Sequence, residues 1–201
     1  MNIPNRLTIL RMILVPFIIL FMLPVMNWTF WNEFVTTQTA QIIALVLFAI
    51  ASLTDFLDGY ISRKYDLVTN MGKFLDPIAD KLLVISVFVA LVELNRIHTY
   101  VVLIVLAREF LVTGLRLLAV EQGSVIAAGP WGKAKTTLQI VAILWLMLEP
   151  IIFHASNFNA LTGTGRTLTI VGDVLVAISL VLTIVSGMDY LLKNKHFLTN
   201  A

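Results

Sequence analysis

Four aspartates stand where two apolar stretches of the chain meet. Asp55 and Asp58 are three residues apart, and Asp76 and Asp80 are four apart. On helices each pair shares one face. The stretch Asp55 to Lys81 holds five of the 12 acidic residues, the fifth being Asp66. Carboxylates at the edge of an apolar segment repel one another and lose hydration. One aspartate at the centre of a membrane span costs roughly 2.5–3.5 kcal/mol even on lenient scales. Basic side chains or bound cations can offset that cost. The ligands here are hard oxygens, the chain has no cysteine, and no histidine is near. That set matches Mg²⁺, Mn²⁺ or Ca²⁺ rather than zinc. Four carboxylates carry charge enough for two divalent ions. Two-ion sites suit phosphoryl displacement, because attacking and leaving oxygens are both stabilised. The plainer alternative is solvated loop and cap residues. Asp66 is read that way, while the regular spacing of the other four argues against it. Asp76 before Pro77 also reads as a helix start, with proline in the first turn. Gly59 and Gly72 flank the set, and a missing side chain lets backbone approach a ligand closely.

The elements that position these groups follow from composition. Of 201 residues 59% are hydrophobic and only 13% charged, with mean hydropathy +0.92. A soluble domain carries about 25% charged residues. Six apolar segments stand out, at 7–26, 40–58, 77–94, 97–120, 134–153 and 168–191. Several approach or exceed the roughly 20 residues that cross a bilayer. The expected fold is an all-α polytopic membrane protein with six transmembrane helices, preceded by a short N-terminal interfacial segment, in a single domain, 1–201. The first run lacks a small-x-small cleavage pattern and is read as a retained helix rather than a signal peptide. Zero cysteines exclude disulfides, thiolate metal sites and cysteine nucleophiles, and a net charge of +2 gives no reason to expect nucleic acid.

Lysine and arginine set the orientation. Arg6, Arg11, Arg63, Lys64, Lys73, Lys81, Arg116, Lys133, Lys135, Lys193 and Lys195 fall at one side of six spans, Arg96 and Arg166 at the other. Both termini are therefore expected in the cytoplasm, at the cell (inner or plasma) membrane. The second and third segments, joined by a loop of about 17 residues, are expected as antiparallel neighbours with the four aspartates in the gap between them. The carboxylates, Arg116, Lys133 and Lys135 then converge on one membrane face.

The run Asp55-Phe-Leu-Asp58-Gly59-Tyr-Ile-Ser62-Arg63, then eight residues, then Gly72-Lys-Phe-Leu-Asp76-Pro-Ile-Ala-Asp80 resembles the signature of the CDP-alcohol phosphatidyltransferases. Seven of eight fixed positions match in spacing, and Ser62 stands where that family usually has alanine. The resemblance implies transfer of a phosphatidyl group from a CDP-linked lipid to an alcohol, with release of CMP. It implies six spanning helices, a cytoplasmic-face site with two ions (Mg²⁺ or Mn²⁺), and a homodimer. By position, Asp55, Asp58 and Asp76 would hold the metals. Asp80 would be both ligand and general base. Asp58, Gly59 and Arg63 would lie along the nucleotide and its diphosphate, and Gly72 would make room for it. Such roles agree with the chemistry: the attacking hydroxyl must lose a proton and the phosphate charge must be screened. Arginine suits phosphate because its fork pairs bidentately.

Other segments must choose the acceptor. Arg108, Glu109 and Arg116 lie inside the fourth apolar segment, where charge is costly and functional by default. Lys133 and Lys135 begin the fifth. Asn5 and Thr8 stand with Arg11 at the start of the first. Arg108, Arg116, Lys133, Lys135, Asn5 and Thr8 would bind a phosphate on the acceptor. The alternative is an Arg108–Glu109 ion pair, with Arg116 and the lysines as interfacial anchors. The segments "NIPNRLTILR", "AREFLVTGLR" and "GKAKTTLQ" resemble the bacterial branch of the family whose acceptor is sn-glycerol-3-phosphate. Together with CDP-diacylglycerol that gives phosphatidylglycerophosphate. Rival readings are the same chemistry on inositol phosphate, serine or phosphatidylglycerol, and a divalent-cation transporter. A transporter would need acids continuing to the far face, and here they stop. His98, His154 and His196 are scattered. Asp173 and Asp189 read as end or packing groups, and Glu33 and Glu149 as residues of the far side.

Overall fold

The computed structural model describes residues 3–25, 27–65, 70–124, 129–156, 163–195 and 197; within them the side chains of 3, 4, 58–65, 70, 71, 73, 74, 130, 155 and 156 are not described. Its elements are α1 (Ile3–Met22), α2 (Thr29–Val35), α3 (Gln38–Tyr65), α4 (Asn70–Glu93), α5 (Thr99–Glu121), α6 (Pro130–Ser156) and α7 (Gly163–Lys193). Among the described residues there is no strand. The six long helices coincide with the six apolar runs. Four of them, α1, α3, α6 and α7, are long and apolar enough to cross a membrane. The other two carry several charges each: Asp76, Asp80 and Lys81 on α4, and Arg108, Glu109 and Arg116 on α5.

The surface inverts the soluble pattern. Ile42, Val46, Ile50 and Leu53 form one outward stripe of α3, and Val174, Ile178, Val181 and Val185 one of α7; all are 42–58% exposed. The buried stripe of α7 is instead small or polar: Gly172, Val176, Ser179, Thr183, Ser186 and Gly187. Small residues let backbones approach where no hydrophobic force separates helix from lipid. Their hydroxyls are satisfied within the helix, as Ser179 donates to the Val176 carbonyl at 2.8 Å and Thr183 to that of Ser179 at 2.7 Å. This is a membrane protein.

Packing is organised around α1, which lies along both α3 and α4. Ile18, Phe48, Val87, Phe88 and Ile143 are fully buried where α1, α3, α4 and α6 meet. Among the described residues the two aspartate-bearing helices meet through α1, which packs on both of them. The start of α1 is not the separate interfacial segment expected. It is one helix of 20 residues with Pro16 inside it.

The loop of about 17 residues is also corrected. α3 runs on to Tyr65 and α4 begins at Asn70, so the aspartate motif is helical on both sides, and Pro77 lies inside α4 rather than at its start. Hydropathy marks where a chain leaves the bilayer, not where its helix ends. Pro77 donates no bond to the Lys73 carbonyl, a loss that neighbouring groups can make good in packed membrane helices. A second addition is α2, inside the break "NWTFWNEFVTTQT". It folds back on the end of α1, with the Trp31 ring 5.5 Å and the Phe34 ring 6.2 Å from Phe21. Trp31 Nε1 donates to the Leu20 carbonyl at 3.2 Å.

Gly172 shows how close the α6–α7 contact is. A Cβ there would meet Leu146 Cδ2 at 2.9 Å and an Arg96 terminal nitrogen at 2.6 Å. Gly172→Ala is expected to cost about 1–3 kcal/mol by overpacking, read as a lower melting temperature in detergent. An unchanged melting point would show that α7 can shift away freely.

Candidate active site

Arg11 is the centre of the aspartate site. Its side chain is 0% exposed, and Nη1 lies 2.8 Å from Asp55 Oδ1 on α3. The same nitrogen bonds Asp80 Oδ1 on α4. One turn earlier on α1, Thr8 Oγ1 donates to Asp76 Oδ1 at 2.6 Å. Asn5, one turn earlier again, is buried too. Residues 5, 8 and 11 recur every three positions, so they share one face of α1. That face is inserted between the two acidic helices. Behind the carboxylates lies a buried cation; in front, Asp55 and Asp80 remain 34% and 46% exposed. One buried positive charge thus partly offsets the acids from within, and they stay open from without.

Sequence reasoning named bound cations and basic side chains as alternative ways to offset the acids, and did not place Arg11 in the site. Its signal was present: an arginine three residues past Thr8 and six past Asn5, on the face of a first helix. Nothing local, however, says that this face meets α3 and α4.

Do the acids fit divalent ions? Oxygens from two different helices converge on one nitrogen of Arg11. A compact cation on their exposed side would find the same pair of hard donors. Among the described residues no three acidic or histidine side chains form a closed metal cluster. Asp58, the fourth carboxylate of the motif, lies outside the described side chains, as does Arg63. Gly59 lies on α3, and Gly72 is buried on α4. The donor chemistry fits Mg²⁺ or Mn²⁺.

The basic cluster begins one residue from Asp80. Lys81 Nζ bonds Thr113 Oγ1 on α5, and that hydroxyl donates to the Glu109 carbonyl at 2.7 Å. Glu109 Oε1 accepts from Arg108 Nη1 at 3.0 Å and from Lys135 Nζ on α6. Arg108 also donates to Ser186 Oγ on α7 at 3.2 Å. Gly187 makes room for it, since a Cβ there would stand 3.0 Å from Arg108 Cγ. Three cations from three helices therefore gather about one carboxylate, a formal excess of positive charge. Arg108 Nε is buried with no hydrogen-bond partner among the described residues. A buried donor left unmade costs about 1–3 kcal/mol, which an incoming anionic oxygen would relieve.

The expected Arg108–Glu109 ion pair is present, so that alternative reading of Arg108 holds for the protein by itself. The pair is nevertheless part of a larger cluster and does not exhaust the guanidinium. Arg116 stands two turns further along α5, its Nε 3.3 Å from the Tyr190 hydroxyl and its guanidinium 5.7 Å from the ring centre. Lys135 is buried, whereas Lys133 is exposed on α6. Two residues apart on a helix, they cannot face the same way.

Residues 1–185 match the family model described as CDP-alcohol phosphatidyltransferase. The chain is 38% identical over 196 residues to a Bacillus subtilis protein named CDP-diacylglycerol–glycerol-3-phosphate 3-phosphatidyltransferase, covering 96% of this chain and 95% of the relative. A Rickettsia bellii protein of the same name is 42% identical over 190 residues, with 94% and 93% covered. One from Haemophilus influenzae is 37% identical over 197 residues, with 94% and 91% covered. With the aspartate motif on α3 and α4 and a match across nearly its whole length, the chain belongs to the CDP-alcohol phosphatidyltransferase family.

Proposed function

We propose that this protein transfers the phosphatidyl group of CDP-diacylglycerol to sn-glycerol-3-phosphate, giving phosphatidylglycerophosphate and CMP. The observation that carries the reading is the junction at Asp80–Lys81. One helix presents a partly exposed carboxylate and, in the next residue, the first member of a cationic cluster. An acceptor with both a hydroxyl and a phosphate would span the two. The names of the relatives point to the same pair of substrates.

The acceptor phosphate docks against Arg108, Arg116 and Lys135, with Lys133 at the rim and Asn5 and Thr8 completing the phosphate site from α1. Its hydroxyl then lies toward Asp80. The Asp80 carboxylate takes the hydroxyl proton as the oxygen bonds the phosphatidyl phosphorus. The bond from phosphorus to the CMP oxygen breaks, and CMP leaves. Asp58, Gly59, Arg63 and Gly72 line the nucleotide and its diphosphate. Two divalent ions held by Asp55, Asp58, Asp76 and Asp80 would screen the phosphoryl charge. Arg11 holds Asp55 and Asp80 in place throughout.

The finer topology belongs to the same proposal. All six long helices span the cell membrane, both termini and the site are cytoplasmic, and two copies form a homodimer. The bias of lysine and arginine supports the orientation, and the family resemblance supports the dimer. Because the chain lacks cysteine, single introduced cysteines report sidedness directly. A cysteine at residue 195 should be labelled only from the cytoplasm, and one at residue 166 only from outside.

The reaction is tested with purified protein, CDP-diacylglycerol, Mg²⁺ and labelled sn-glycerol-3-phosphate. Equal amounts of CMP and labelled lipid are expected, and little of either with serine or inositol phosphate. CMP release indifferent to the acceptor would sink the reading. Within it, Arg116→Ala should raise the acceptor KM by about tenfold or more, the worth of one charged hydrogen bond, with the CDP-diacylglycerol KM little changed. Equal rises in both would remove Arg116 from the acceptor pocket. Glu109→Gln should act in the same direction, because Lys135 and Arg108 lose the shared carboxylate that holds them side by side, and Glu109→Asp should restore part of the loss.

A further inference from the structure

A cavity of about 610 Å³ opens at the end of the bundle far from the aspartates. Met22 of α1, Ala44 of α3, Leu91 of α4 and Leu146 of α6 line its apolar part. Gln41, Arg96 and Glu149 line its polar part. Gln41 precedes Asp55 by 14 residues of continuous helix, which is about 21 Å at 1.5 Å per residue. This space is not an annex of the active site.

Its polar edge is specific. Arg96 Nε donates to Glu149 Oε2 at 2.9 Å, Nη1 to Asp173 Oδ1 at 2.7 Å, and Nη2 to the Thr169 carbonyl at 3.1 Å. Burial alone would lower the Arg96 pKa; the bonds to Asp173 and Glu149 outweigh it and hold it above the ordinary arginine value. Glu149 and Asp173 are thus partners in an ion-pair network across α6 and α7, a role beyond that of isolated end groups. One cation faces two anions, so the cluster carries a formal charge of −1. Glu149 is only 3% exposed. Nearby on the lining, Gln41 Oε1 is buried and accepts no hydrogen bond among the described residues. A carboxylate and an unused amide oxygen ask for a donor. The guanidinium beside them still offers N–H groups, since three of its five are used. A head that pairs an anionic oxygen with an N–H-bearing cation matches all three. The volume lies within the roughly 300–1,000 Å³ of small-ligand sites. It suits part of an acyl chain below such a head.

We propose that this cavity is a second lipid site, for a zwitterionic glycerophospholipid whose headgroup ends in a primary ammonium. The ammonium donates to Gln41 Oε1 and Glu149, the lipid phosphate lies toward Arg96, and one chain enters between Met22, Ala44, Leu91 and Leu146.

The full chain is placed in nanodiscs of equal phosphatidylethanolamine and phosphatidylcholine, extracted in mild detergent, and weighed intact by native mass spectrometry. Both lipids are zwitterionic, but the choline head has no N–H to donate. Retention of one ethanolamine lipid per chain, about tenfold over the choline lipid, is expected from one charged hydrogen bond. Gln41→Leu should erase the preference. Leu94→Trp, at an exposed part of the lining, should erase retention by filling the cavity mouth, with CMP release as in the wild type for both variants. Equal retention of the two lipids by the wild type would overturn the proposal, whatever the variants do. So would ethanolamine-lipid retention that survives in Leu94→Trp.

Discussion

Asp80→Asn should lower the rate of CMP release by about 10²–10⁴-fold, the usual worth of a positioned general base. The substitution keeps the size of the side chain and its reach to Arg11. It removes the negative charge and the ability to take a proton at neutral pH. Asp80 combines three tasks in the proposed mechanism: acceptor of the hydroxyl proton, ligand to an ion, and partner of Arg11. The partnership with Arg11 is the least damaged by asparagine, whose amide oxygen can still accept. Fold and lipid binding should therefore survive while chemistry stops. The measurement is single-turnover CMP release beside equilibrium binding of CDP-diacylglycerol. Turnover retained within a few-fold would take the base role away from Asp80. Loss of binding equal to the loss of turnover would make it a ligand or scaffold residue only.

Arg11→Met carries the next largest effect, on stability as well as rate. Removing one partner of a buried ion pair typically costs about 3–5 kcal/mol. Here the acids keep partial contact with solvent, at 34% and 46% exposure, so the lower end applies. At about 2–4 °C per kcal/mol for a chain of this size, the melting temperature should fall by about 6–12 °C. Asp55 and Asp80, no longer drawn to one nitrogen, should also lose their spacing, with turnover down about 100-fold, as small misplacements at a reaction centre cost. Arg11→Lys keeps the charge but not the fork and should recover part of both. Raising Mg²⁺ should recover activity more than stability, because an added cation screens the exposed side of the acids and leaves the buried side bare. If Arg11→Met melts and turns over like the wild type, α1 is a spectator.

The sequence announces the membrane helices because their lipid faces must be apolar all along. Ile42, Val46, Ile50 and Leu53 belong to such a face, and no tertiary knowledge is needed to see it. The helical continuation through Asp58 to Tyr65 is hidden for the complementary reason: outside the hydrocarbon, polarity no longer distinguishes helix from loop. The aspartate spacing was readable because a ligand set is local, three and four residues apart. Arg11 and its acids are 44 and 69 residues apart, and their meeting depends on which helix fills the gap. The ion pairs of Arg96 with Glu149 and Asp173, at separations of 53 and 77, were illegible for that same reason. Arg108 and Glu109 are adjacent and their pairing was foreseeable. That Lys135 would join from α6 while Lys133 turned away follows from helical periodicity once α6 is known to begin at Pro130.

The order of these residues along the chain has a consequence for biogenesis. Synthesis runs from the N-terminus, so α1 reaches the translocon before either acidic helix has been made. Arg11 is made 44 residues before Asp55 and 69 before Asp80, so the counter-charge of both acidic helices precedes them along the chain.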